Sequence, residues 1–115
     1  MINREELLTV KKSFAVAIYK VISCDEHVSD GEKEKFNSFF MEKLGLSQYE
    51  SEKLLEETKN SLNELDIHLE RLKNALHNHV TDKAMFMRFL NECILCDGVD
   101  SREYPEFEYI RKAIF

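Results

Sequence analysis

Two short acidic segments carry the side chains of this sequence that are best suited to bind a ligand. The first contains Asp25 and Glu32, and the second contains Asp97 and Glu103. Carboxylate oxygens are hard ligands of the kind that Ca²⁺ and Mg²⁺ prefer. If both segments lie at the same end of the folded chain, these four carboxylates form a candidate metal site for Ca²⁺ or Mg²⁺.

The same acids have a structural interpretation, which the spacing favours. Ser29-x-x-Glu32 and Asp100-x-x-Glu103 match a capping box, in which two side chains satisfy backbone N–H groups of a first helical turn. Capping accounts for most of these acids without a metal. An EF-hand is excluded, because the twelfth position counted from Asp25 is phenylalanine where a calcium loop carries glutamate. Cation binding and helix capping therefore stay open as alternatives.

Cysteine and histidine offer a second candidate metal set. Cys24-x-x-His27 and Cys93-x-x-Cys96 have local spacings typical of zinc ligands. Cys93, however, falls on the apolar stripe of a predicted helix, and buried thiols behave as small hydrophobic groups. Core packing is therefore the favoured interpretation. The odd number of cysteines, 3, also argues against a disulfide framework, so we expect reduced thiols.

Known catalytic motifs are absent from the sequence. It contains no HExxH helix, no glycine-rich phosphate loop and no Gly-x-Ser-x-Gly elbow. We expect His68 and His77 on the solvent-exposed face of one helix, outside any catalytic set. The sequence therefore predicts a non-enzymatic protein with no catalytic residues and no small-molecule substrate. The alternatives are a metal-dependent enzyme that uses the acidic carboxylates, and a purely structural protein that dimerises.

Aromatic and methionine residues predict an interaction surface. They form two groups on separate predicted helices: Phe36, Phe39, Phe40 and Met41 in one, and Met85, Phe86, Met87 and Phe89 in the other. Each group contains three consecutive apolar residues, and a single helix face cannot bury three in a row. We therefore expect apolar surface to remain exposed between helices, where it binds a partner protein or a second copy of the chain.

The composition limits the class of protein. The chain has 115 residues and carries 16 basic against 22 acidic side chains, a net charge of −6. A chain of this length predicts one domain, residues 1–115. The excess of acid argues against nucleic-acid binding and against adhesion to anionic lipid. The polar start and the lack of a long apolar run predict a cytoplasmic protein without a membrane span.

Helical signals run along the whole chain. With 3 glycines and 1 proline there are few helix breakers, and apolar residues recur with a period near that of an α-helix. Ser47-x-x-Glu50 and Ser61-x-x-Glu64 are further capping boxes, Thr81 or Asp82 can cap another helix, and Gly45 suits a helix end. About six helices in an all-α bundle are predicted. The first, third and sixth cover about residues 4 to 24, Gln48 to Lys59, and Ser101 to the end. The second, fourth and fifth carry apolar stripes from Phe36 to Leu44, from Leu62 to Leu76, and from Phe86 to Ile94.

The first two and the last two predicted helices show a degenerate internal repeat. A constant offset, shortened by one residue in the loop, pairs equivalent positions: Phe14 with Phe86, Ile18 with Leu90, Asp25 with Asp97, Glu32 with Glu103, Phe39 with Ile110, and Leu44 with Phe115. Each half reads as an apolar helix, an acidic segment, a cap and a second apolar helix. The sequence thus predicts two pseudo-repeated helical hairpins.

The doubled acidic segment resembles that of a known family. The strings are Cys24-Asp25-Glu26-His27-Val28-Ser29-Asp30-Gly31-Glu32 and Cys96-Asp97-Gly98-Val99-Asp100-Ser101-Arg102-Glu103. They resemble the Asp-Gly-x-Ile-x-x-x-Glu signature of the tellurite-resistance TerB-like family, although Glu26 replaces glycine and the second loop is one residue shorter. The resemblance implies a compact all-helical bacterial module that is stress-associated or scaffold-like, for which divalent-cation binding is suspected. No enzymatic activity comes with this family.

Overall fold

A computed structural model describes residues 4–23, 30–95 and 103–115. All regular structure within these ranges is helical. The α-helices are α1 (Arg4–Thr9), α2 (Lys11–Ile22), α3 (Asp30–Leu44), α4 (Gln48–Lys59), α5 (Leu65–Ala75), α6 (Val80–Leu95) and α7 (Glu103–Ile114), and a 3₁₀ turn (Leu62–Glu64) precedes α5. They correspond to the six predicted helices, with the first divided in two, so the all-α prediction is confirmed. None of these described helices has the length and apolar character to cross a membrane.

The continuous helix predicted over residues 4 to 24 is interrupted at Val10, and this part of the prediction is wrong. Val10 has φ −109° and ψ 19°, outside the helical range. The Thr9 hydroxyl donates to the carbonyl of Glu5 at 3.0 Å. Threonine bonded back to the preceding turn in this way bends helices. The interruption is local, because the Phe14 N–H still donates to the Val10 carbonyl at 3.1 Å.

Helix α2 lies at the centre of the bundle. It contacts α4, α5, α6 and α7 as well as its neighbours in the chain. Its buried residues are Ser13, Phe14, Ala15, Val16, Ala17, Ile18, Tyr19, Val21 and Ile22. A helix that is apolar on nearly every side must be surrounded, and α2 meets this condition because other helices cover it. The radius of gyration of 12.9 Å is that of a compact chain of this length.

The turn from α3 to α4 follows its sequence signals closely. Gly45 has φ 71°, a left-handed conformation that glycine adopts without a Cβ clash. The Ser47 hydroxyl accepts from the Glu50 N–H at 3.1 Å, and the Glu50 carboxylate accepts from the Ser47 N–H at 3.0 Å. These bonds stabilise the charged carboxylate and lower the pKa of Glu50. The capping box predicted here is confirmed.

Two other predicted caps are not formed. The Ser61 side chain caps no helix; its hydroxyl instead donates weakly to the Glu57 carbonyl at 3.4 Å. Helix α6 begins at Val80, so Thr81 and Asp82 lie inside its first turn rather than at its cap. An acidic side chain in a first turn still interacts favourably with the helix dipole.

Phenylalanine rings connect α3 to the core. Phe39 in α3 lies within 5.8 Å of the Phe14 ring centroid in α2 and within 6.1 Å of Phe86 in α6. It also contacts Phe40 at 5.1 Å and Phe89 at 4.7 Å. Aromatic pairs at such distances add to the energy of simple burial. Phe39 therefore joins α3 to both α2 and α6.

Burial agrees with the proposed repeat at some positions and not at others. Phe14 and Phe86 are both buried, whereas Leu44 is buried and its counterpart Phe115 is 55% exposed. Residues 24–29 and 96–102, which make up most of the two acidic segments, lie outside the described residues. The pseudo-repeated hairpins therefore stay a prediction.

Candidate interaction groove

The four carboxylates predicted to bind Ca²⁺ or Mg²⁺ are described only in part. Asp25 and Asp97 lie outside the described residues, and Glu103 is the first residue of α7. Glu32 lies in the first turn of α3 and is only 5% exposed. Within the described ranges, no three His, Cys, Asp or Glu side chains form a group that could hold a metal ion. The four-carboxylate site therefore stays a prediction.

The alternative zinc set is also covered in part. Cys24, His27 and Cys96 lie outside the described residues. Cys93 is 1% exposed and belongs to the hydrophobic core of the bundle. Its burial agrees with the interpretation of Cys93 as a core residue.

His68 does not lie on a solvent-exposed face, and that prediction is wrong. The side chain is 2% exposed, and its Nδ1 lies 2.9 Å from the hydroxyl oxygen of Ser13 in α2, which is also buried. His77, in contrast, is exposed as expected. The spacing could have identified His68, because it shares one face with the buried leucines of α5: Leu65, Leu69 and Leu72.

Burial and neighbouring positive charges disfavour the protonated form of the His68 imidazole. Desolvation lowers its pKa below 6.5, and Arg71 and Lys12 lower it further, while Glu64 acts in the opposite direction. The second ring nitrogen, Nε2, is buried without a hydrogen bond, and the Glu64 carboxylate is 3.9 Å away. This Ser–His pair lines none of the grooves described below. It therefore joins α2 to α5.

A groove of about 680 Å³ separates α3 from α6. Its wall on α3 consists of Gly31, Glu34, Lys35, Ser38, Phe39, Glu42 and Lys43, and its wall on α6 consists of Met85, Arg88, Phe89 and Glu92. In both series each residue has another member three or four positions away, so each series is one continuous face of a helix. The groove therefore extends along three turns of α3 and two turns of α6.

Aromatic rings form the floor of the groove. Phe39 is 5% exposed, and its ring centroid lies 4.7 Å from that of the half-buried Phe89. Met85 beside them is also half-buried. The bulky rings meet between the helices, whose backbones approach each other at few points. Of the aromatic and methionine residues predicted to form an interaction surface, these three line the groove.

The remaining members of the predicted surface have other positions. Phe36, Phe40, Phe86 and Met87 are buried in the core. Met41 is 40% exposed and does not line the groove. The expectation of a partly exposed apolar surface is thus met by a smaller set than the sequence indicated.

Charged side chains form the rim of the groove, and they have no partner within the described part of the chain. They are Glu34, Lys35, Glu42, Lys43, Arg88 and Glu92. Elsewhere the helices do form local ion pairs, such as Lys59 with Glu56 at 2.9 Å and Arg111 with Glu108 at 2.7 Å. The rim charges are therefore available to a second molecule.

The fold and groove together define a small all-helical bundle with one open aromatic face. A family model described as "Tellurite resistance protein TerB" matches residues 11–114. The chain therefore belongs to the TerB family, which confirms the resemblance seen in its acidic segments. The match extends from the start of α2 to the last residue of α7 and includes both walls of the groove. Searches of curated proteins and of solved structures each found no significant match.

Proposed function

We propose that this chain is a non-enzymatic protein-interaction module and that the groove between α3 and α6 is its binding surface. The observation that carries the proposal is the combination of an aromatic floor with rim charges that have no partner in the described structure. Covering Phe89 and Met85 would remove apolar surface from water, and the rim charges would select the partner. A helix of another protein chain has the shape and side-chain spacing to fill such a groove.

Family membership supports a proposal about the cellular role of the chain. Membership of a family described by tellurite resistance supports a stress-associated role in a bacterial cell. The whole chain, residues 1–115, would act as one domain. Serine and histidine also occur together in hydrolytic sites, but the Ser13–His68 pair is buried away from the groove, which supports a structural role instead.

Site-specific photo-crosslinking in living cells tests the groove. A photoreactive amino acid replaces Glu42 on the rim, and in the control it replaces the exposed Glu70 on α5. We expect a light-dependent protein adduct from position 42 only, which disappears when Phe89→Glu places a charge on the groove floor. Equal adducts from both positions, or none from position 42, would contradict the proposal.

Cation binding at the acidic segments is a second proposal. Glu32 is nearly buried, and an ionised carboxylate withdrawn from water needs hydrogen-bond donors, a helix N-terminus or a cation to offset its lost hydration. Together with Asp25, Asp97 and Glu103 it would provide the oxygen ligands of a Ca²⁺ or Mg²⁺ site. A metal-dependent enzyme would need this same cation.

Thermal unfolding with and without each cation separates binding from capping. If the carboxylates bind Ca²⁺ or Mg²⁺, the Tm rises with cation concentration, and Asp25→Asn with Asp97→Asn abolishes the rise in a chain that still folds. If the acids only cap helices, the wild-type chain gives no response and the double variant has a lower Tm. The latter result would contradict both the cation site and the enzyme alternative.

A further inference from the structure

We propose that the α3–α6 groove binds a second copy of this chain, so that two grooves face each other about a two-fold axis. This inference rests on the proposed function and names the occupant of the same surface. The axis would be perpendicular to the helices and pass over the contact between Phe39 and Phe89. Because a half-turn about such an axis reverses the direction of a helix, each helix would lie antiparallel to its own counterpart.

The order of charges on α3 supports this arrangement. Reversing the helix about a point between Ser38 and Phe39 brings Glu34 of one copy opposite Lys43 of the other. The same reversal brings Lys35 opposite Glu42. Every charge on this wall thereby meets an opposite charge, and each pair forms twice by symmetry.

The charges on the α6 wall also pair with opposite charges when the helix is reversed, and the point of reversal lies level with that on α3. Reversing α6 about Leu90 brings Arg88 of one copy opposite Glu92 of the other. Leu90 follows directly after Phe89, whose ring lies 4.7 Å from that of Phe39. The centres of reversal on the two helices therefore lie side by side, so that one axis serves both walls.

The charge balance distinguishes this face from the opposite side of α3. The rim of the α3–α6 groove carries equal numbers of acidic and basic side chains, although the whole chain has a net charge of −6. A second groove of about 580 Å³, between α3 and α4, has four acids and one lysine on its wall: Asp30, Glu34, Glu52, Glu56 and Lys33. A second copy would be repelled at that acidic groove and accepted at the neutral one.

Sedimentation equilibrium of the full chain at low salt tests the proposal. We expect the mass of two chains in wild type and an about tenfold weaker self-association for Glu42→Lys, because attraction at two symmetry-related pairs becomes repulsion. Glu52→Lys, on the acidic groove, makes the same change in net charge and is the matched control. The double variant Lys35→Glu with Glu42→Lys restores the opposite pairing and should recover wild-type association.

The outcomes separate this inference from the proposed function. A wild-type chain that stays monomeric, equal effects of Glu42→Lys and Glu52→Lys, or a double variant that fails to recover would each overturn the dimer. If a monomeric chain still gives a Phe89-dependent photo-adduct with another protein, the dimer is wrong and the proposed function stands. If no adduct forms either, both are wrong.

Discussion

The two helix pairs α2–α5 and α3–α6 solve the same packing problem in opposite ways. Helices α2 and α5 contact each other more extensively than any other pair among the described elements, and they enclose the hydrogen bond between Ser13 and His68. Helices α3 and α6 meet mainly through Phe39 and the rings of α6, and they leave a groove of about 680 Å³. We call α2–α5 the closed pair, because it encloses a polar pair of side chains, and α3–α6 the open pair, because it leaves a groove with an aromatic floor.

Side-chain size and polarity account for this difference. Between α2 and α5, the Ser13 hydroxyl and His68 Nδ1 satisfy each other at 2.9 Å. Between α3 and α6, the bulky rings of Phe39 and Phe89 meet, and charged residues flank them. The comparison teaches that both contacts contribute to stability, whereas the open one also leaves apolar surface exposed, which we propose to be the binding surface. The following substitutions test this division.

The largest loss of stability is expected for Phe39→Ala. The ring contacts Phe14, Phe40, Phe86 and Phe89, so its removal leaves a cavity where three helices meet. We expect the free energy of unfolding to fall by about 3–5 kcal/mol, measured by urea denaturation. Phe89→Ala is the control and should cost clearly less, because that ring is only half-buried. A loss for Phe39→Ala no larger than that for Phe89→Ala would show that the groove floor is not part of the core.

A smaller loss is expected for Ser13→Ala in the closed pair. The substitution leaves His68 Nδ1 buried without its hydrogen bond, which costs about 1–3 kcal/mol. Ser13→Ala combined with His68→Leu removes both partners and should cost less than the sum of the two single changes. Additive losses in this double-mutant cycle, measured by denaturation, would mean that the two side chains do not interact.

The same histidine makes stability depend on pH. Because burial lowers the pKa of His68 in the folded chain, the unfolded chain binds a proton first as the pH falls through about 6.5. Stability contributed by the neutral imidazole is therefore complete above 6.5 and decreases below it, until the pH passes the lowered pKa of the folded state. His68→Leu should remove this part of the dependence. An NMR titration giving His68 a pKa above 6.5 would contradict the assignment.

The sequence predicts much of the fold because local signals agree along α3 and α4. The α4 bounds Gln48 to Lys59 were predicted correctly, since Gly45 and Ser47 mark the turn before it. The break at Val10 was not predictable, because it depends on whether the Thr9 hydroxyl turns towards the helix or towards water. His68 was predicted to be exposed because histidine is polar, although its spacing from the buried leucines of α5 indicates burial.

The groove could be predicted only in outline. Consecutive apolar residues showed that some of them must stay partly exposed. Which ones do so depends on tertiary packing, because Phe14 of α2 occupies the space beside Phe39 and Phe86 and leaves Phe89 at the edge. The absence of ion pairs on the rim is likewise a property of the folded chain. For the predicted metal ligands, the new information from the structure is that the Glu32 side chain is buried.

The smallest effect on stability is expected for Arg88→Ala on the groove rim. Arg88 and Glu92 are four residues apart, but the basic residue comes first, which is the weaker order for a helical ion pair, and they form no ion pair in the described structure. We therefore expect the free energy of unfolding to stay within about 0.5 kcal/mol of wild type. Self-association of the same variant, measured by sedimentation, should still weaken, because the substitution removes the positive charge that would face Glu92 of the second copy. Weaker association with unchanged stability would support a role of Arg88 in binding. A large loss of stability would instead show that Arg88 contributes to folding and would contradict this prediction.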